Sequence, residues 1–214
     1  MLRRRLIACG LSALTLAAVP AFAQPSKPPA ALALSADDQA LVDRATAYLD
    51  GLSEARGRFV QTDARGAVSQ GELYLSRPGK ARFEYQNPPT LLVVADGRSV
   101  AVLDRRLKTF NRYALSSTPL ALFLQKRVRL DQKLQVTRVE RSSGGFSITA
   151  HSSGHGARGQ ITLSFSDNPV ALTQWSLVDA GGARTTVRIL DLQTAHGLDP
   201  GLFELNDPSR PGSL

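Results

Sequence analysis

The sequence predicts a mainly β protein of the α+β class. It is one large antiparallel sheet of about eleven short strands, with helices as covers. Three observations predict it. From Arg56 onward the apolar residues recur at every second position. The alternating stretches are divided by turn chemistry rich in Gly, Pro, Asn and Asp. Helical periodicity is confined to a segment after Ser35 and a short insertion after Ser117. A sheet of that many strands must curl or split. If it curls without closing, its concave apolar face needs a cover, and the result is a cavity with a lid.

The chain opens on a segment that is not part of this fold. Arg3, Arg4 and Arg5 precede an apolar run from Leu6 to Val19, and Ala21-Phe22-Ala23 is a small-x-small cleavage signal. Residues 1–23 therefore read as a secretory signal peptide, with cleavage expected after Ala23. Cys9 follows Leu6-Ile7-Ala8, but too few residues precede it for a lipobox. Removing the signal removes the only cysteine, so no disulfide is expected in the mature protein. Residues 24–34 are a Pro-, Ser- and Ala-rich leader, residues 35–208 a single domain, and residues 209–214 a tail.

Ser35 is the expected N-cap of the first helix, with Asp38 three residues on and Gly51 at the C-cap. Leu41, Val42, Ala45, Tyr48, Leu49 and Leu52 share one face of it. In Val68–Ser76, Leu73 and Leu75 oppose Glu72 and Tyr74. In Lys80–Gln86, Ala81, Phe83 and Tyr85 oppose Lys80, Arg82 and Glu84. Leu91–Val94 is continuously apolar and is expected to be buried on both faces. Asp96-Gly97 marks a hairpin, and two more short strands reach Tyr113. Ser117-Thr118-Pro119 then caps a short helix through Gln125. Strands resume near Leu134–Arg141, Phe146–His151, Gln160–Phe165, Leu172–Asp179 and Arg184–Leu192.

Composition and motifs narrow the function. Of the formal charge of +8, three units belong to the signal arginines, which leaves +5. The basic residues are scattered and the chain is marked for export, which argues against nucleic acid. The charge suits an anionic membrane surface or an acidic partner. His151 and His155 have metal-ligand spacing only on a helix, and here they flank a hairpin loop, so no metal site is expected. His196 lies near the end of the sheet. No nucleophile elbow, phosphate loop, zinc-protease or dinucleotide motif occurs, and the carboxylates are spread singly. No catalytic residue and no cofactor is expected, and an exported hydrolase is the weaker reading.

Phe59, Leu73, Leu75, Phe83 and Tyr85 are apolar at strand spacing on adjoining strands and are the candidates to line the concave face. Periodicity does not say which face is inward. Leu120, Leu122, Phe123 and Leu124 are too apolar for a free surface helix of this length. That helix either packs permanently on the sheet or is a movable cover. Arg77, before Pro78 and Gly79, belongs at the rim of the sheet, where its rigid fork of donors can bind several carbonyls at once.

Arg58-Phe59-Val60-Gln61, Gly71 to Gly79, Arg82-Phe83-Glu84-Tyr85 and Pro88, Val94-Ala95-Asp96-Gly97 and Thr118-Pro119-Leu120 form an ordered set. Gln174-Trp175 and Phe203 close it. The set resembles the LolA family of periplasmic outer-membrane lipoprotein carriers, over about residues 40–206. The resemblance implies an unclosed barrel of eleven antiparallel strands around an apolar cavity. It implies that Phe83 lines that cavity, that the mid-chain helix (Leu120, Phe123, Leu124) is the lid, and that Arg77 latches it through backbone carbonyls. It also implies the partners: lipoproteins, their acyl chains held in the cavity, received from an inner-membrane ABC-type releasing complex and delivered at the outer membrane, where a receptor lipoprotein is a candidate acceptor. The Gly- and Ser-rich loop around His151–Gly159 fits the family least. A periplasmic binder or sensor of another lipid or glycolipid is the alternative. Bound lipid identified by mass spectrometry would separate the two.

Overall fold

The computed structural model describes residues 34–87, 89–118, 120–126, 134–152, 159–179 and 181–208. The expected signal peptide, nearly all of the leader, the tail, Pro88, Pro119 and His155 lie outside them.

The first helix, α1 (Ala36–Gly51), begins as its sequence requires: the Ser35 hydroxyl accepts from the Asp38 amide at 3.1 Å. Leu41, Val42, Ala45 and Leu49 are its buried face. Its C-terminus departs from expectation. Gly51 stays helical, and Leu52 is the cap, with its amide on the Leu49 carbonyl.

Six strands follow: β1 (Glu54–Thr62), β2 (Val68–Ser76), β3 (Lys80–Asn87), β4 (Leu91–Asp96), β5 (Ser99–Asp104) and β6 (Thr109–Ala114). A 3-10 turn (Leu115–Ser117) and α2 (Leu120–Phe123) interrupt the sheet. Five more strands complete it: β7 (Leu134–Ser142), β8 (Gly145–Ser152), β9 (Gly159–Asp167), β10 (Val170–Asp179) and β11 (Arg184–Thr194). All eleven form one antiparallel sheet in the order β6-β5-β4-β3-β2-β1-β11-β10-β9-β8-β7. The expected hairpin succession therefore breaks once. β6 and β7 do not pair; β1 pairs with β11 instead, and the sheet stays open between β6 and β7.

The sheet is strongly curved. Phe83 on β3 and Trp175 on β10 are four strand positions apart, about 19 Å in a flat sheet. Their rings lie 6.2 Å apart, edge to face. One apolar cluster accordingly gathers residues from β1 through β5, β7 through β11, α1 and α2. A smaller cluster on the convex face joins Leu92, Val94 and Leu103 to Phe110 and Leu205. This second cluster is why Leu91–Val94 is apolar on both faces. The chain after β11 covers it, fixed by Arg82 to the Leu202 carbonyl and Arg112 to the Leu205 carbonyl.

α1 lies across one end of the curved sheet. Asp38 pairs with Arg141 at the end of β7, Arg44 with Asp167 at the end of β9, and Tyr48 meets Phe165 edge to face. Its last turn reaches the β2–β3 turn through Arg77.

Gly71 sets the local geometry of the concave face. It stands opposite Phe59 on one side and Tyr85 on the other. With no side chain between them, the two rings meet at 5.1 Å, edge to face. A Cβ on Gly71 would fall 2.2 Å from the Glu84 carbonyl oxygen. We therefore expect Gly71→Ala to cost about 1–3 kcal/mol or more, since a packed backbone must shift. Gly51→Ala, where the added carbon meets nothing within 4 Å, should cost none. Urea denaturation monitored by circular dichroism checks both; equal midpoints for the two variants would refute the packing role.

Candidate functional site: the concave apolar face and its cover

The five lining candidates all fall on the concave face. Phe59, Leu73, Leu75, Phe83 and Tyr85 are each buried, and they belong to the main apolar cluster. β1, β2 and β3 supply them at alternate positions, in direct cross-strand register: Leu73 faces Phe83 and Leu75 faces Ala81. Phe59 is also edge to face with Phe83, at 5.5 Å. Tyr85 is the polar exception. Burial pushes its hydroxyl up to about 12, so it stays protonated and donates to Gln61 Oε1 at 2.8 Å.

Trp175 completes the face from the far side of the sheet. Alternation alone would put Leu172 and Trp175 on opposite faces, yet both are buried in the same cluster. A register shift between Leu172 and Gln174 adds one residue to β10 and turns Trp175 inward. In the sequence Trp175 stands out only through the family pattern, not as a site residue.

α2 is shorter than expected. Only Leu120–Phe123 is helical, although the Leu124 amide still reaches the Leu120 carbonyl at 2.9 Å. The carbonyls just beyond it are taken by the β2–β3 turn. The Leu124 carbonyl accepts from the Gly79 amide at 2.7 Å, and the Gln125 carbonyl accepts from Arg77 Nη2. Gly79 adopts φ 83°, which the tight turn demands. Phe123 stacks on Trp175 at 5.5 Å, and Leu124 is buried in the cluster. Leu120 is half-buried beside them, and the side chain of Leu122 lies outside the described set.

Arg77 joins three elements. Nη1 donates to the Leu49 and Leu52 carbonyls, Nη2 to the Gln125 carbonyl, and its own amide to the Ser53 carbonyl. α1 has no basic residue in its last turn. Arg77 supplies the positive charge that the C-terminal carbonyls of the helix favour. Burial lowers its pKa and the nearby Asp50 opposes that shift; a guanidinium stays charged either way.

Elsewhere the chemistry is sparse. His151 is half-buried on β8, with its backbone paired to Gln160. Among the described residues no group of three His, Cys, Asp or Glu is placed to hold a metal ion. Among them, too, no helix is long and apolar enough to cross a membrane.

Comparison with known proteins matches this geometry to a family. A family model described as outer membrane lipoprotein carrier protein LolA matches residues 50–206. An outer-membrane lipoprotein carrier protein of Azotobacter vinelandii is 26% identical over 187 residues, covering 83% of this chain and 89% of its own. One of Xanthomonas oryzae pv. oryzae is 33% identical over 152 residues, covering 65% of this chain and 71% of its own. Among solved structures, a DUF1329 family protein from Desulfovibrio piger superposes with a TM-score of 0.50 at 11% identity. It covers 78% of this chain and 96% of that one, a likeness of fold alone. The chain belongs to the LolA family of outer membrane lipoprotein carriers.

Proposed function

We propose that this protein is a periplasmic carrier. It accepts lipoproteins released from the inner membrane by an ABC-type complex, shields their acyl chains against the concave face, and delivers them to the outer membrane, where a receptor lipoprotein is a candidate acceptor. One observation carries the reading: an apolar face drawn from strands on both sides of an open seam, closed at that seam by a single helical turn latched by one arginine.

Exposing acyl chains to water costs about 0.8 kcal/mol per methylene. Two or three chains amount to roughly tens of kcal/mol, so a soluble sleeve is required. The sleeve must also release. In the structure the apolar side chains of cover and sheet meet, so loading requires α2 to lift from Trp175. A four-residue helix has little stability of its own and depends on docking. The latch bonds to a charged donor are worth about 1.5–3 kcal/mol each at most. That is enough to bias the closed state without forbidding the open one. Buried Nε of Arg77 finds no partner among the described residues, which further limits the stability of the closed state.

Two outcomes test this. The hydrophobic dye bis-ANS should bind the folded protein saturably. Phe83→Glu should abolish that binding, whereas Leu190→Glu, at an exposed position outside the core, should leave it unchanged. Binding by Phe83→Glu equal to the parent's would sink the assignment of this face. For the latch, Arg77→Leu should still take up lipoprotein, because uptake favours the open form. It should retain that cargo when offered outer membranes, because reclosing drives release. Arg77→Lys, which keeps the charge and loses the planar fork, should transfer at an intermediate rate. Normal transfer by Arg77→Leu, followed by immunoblotting of membrane fractions, would reduce Arg77 to a structural cap of α1.

A further inference from the structure

The helices occupy one end of the curved sheet, and the opposite rim has its own chemistry. Strand register puts the β1–β2, β5–β6 and β10–β11 turns together there: Thr62 pairs with both Val68 and Thr186, and Asp104 with both Leu91 and Thr109. Each turn is held by an aspartate that accepts two of its own amides. Asp63 accepts from Arg65 and Ala67, Asp104 from Arg106 and Leu107, and Asp179 from Gly181 and Ala183, at 2.8–2.9 Å throughout. The carboxylates are engaged by backbone, and the cations are not. Arg65, Arg105, Arg106, Lys108 and Arg184 are exposed, and none of them forms an ion pair among the described residues. The two most exposed large apolar side chains among the described residues stand among them, Val68 at 67% and Leu107 at 57%.

We propose that this rim docks on anionic phospholipid, with Leu107 and Val68 entering the headgroup layer and the arginines facing lipid phosphate. The occupant follows from shape and charge. An aliphatic turn residue, Leu107, and the first residue of β2, Val68, beside these cations suit a soft anionic surface. A protein partner needs roughly 800 Å² of contiguous, complementary patch, and separate turn tips do not form one. Docking by this rim leaves the latched end free to open. The inference stands on the rim alone and not on acyl-chain binding.

The test uses protein purified from the periplasm of an expression host and sedimented with vesicles. The parent should bind vesicles containing phosphatidylglycerol, lose that binding as salt rises, and leave pure phosphatidylcholine unbound. Replacing two cations in Arg105→Ser/Arg106→Ser should weaken binding about thirty-fold, at about 1 kcal/mol per cation. Leu107→Ser/Val68→Ser should also weaken it, with unchanged circular dichroism and melting temperature in both variants. Equal binding to the two vesicle types, or parental binding by both variants, would overturn the proposal. So would variants that bind vesicles normally but fail in cargo transfer, which would make the rim a protein contact. Because the assay uses empty protein, its failure leaves the carrier reading intact.

Discussion

Phe83 and Trp175 touch across a sheet in which a flat arrangement would hold them about 19 Å apart. That contact states the constraint on which the molecule depends. A sheet bent so far must either close into a barrel or leave two edges. Here β6 and β7 stay apart, and the chain between them carries α2. The cover therefore lies on the connection between the two strands that do not pair. Closing the barrel would remove the seam, and flattening the sheet would expose its apolar face. The open seam makes a hydrophobic interior compatible with access.

The small size of the cover has an energetic logic. Phe123 and Leu124 bury their side chains, but the backbone around them is bound mainly through Gly79 and Arg77. Those two residues belong to one turn. α1 is fastened differently, by ion pairs and ring contacts at several points along its length as well as by Arg77. The two covers thus differ in how much must break to displace them. Lifting α2 disrupts one stack and one turn; lifting α1 would disrupt contacts with β7, β9 and β2.

Much of this was legible in the sequence where a single period ruled. Alternation in β2 and β3 identified the residues that share the concave face, and Ser35 announced α1. Illegible were the features that violate periodicity. The extra residue near Thr173 reverses the facing of Trp175, and a second shift in β11 leaves Leu190 exposed. Neither has a local signature, because a bulge is settled by the neighbouring strand. The β1–β11 pairing is likewise invisible to hairpin reading, being a contact between the two ends of the domain. The chain just beyond α2 is held by distant partners in the β2–β3 turn. The pattern within α2 contains no trace of them.

Trp175 is the only tryptophan in the chain, and its indole lies against Phe123. The molecule thereby carries its own optical reporter at the joint between sheet and cover. Any movement of α2 away from the sheet changes the polarity around that indole and the ring stacked on it. Its emission spectrum therefore follows the position of the cover without an attached label, in real time and in the presence of membranes.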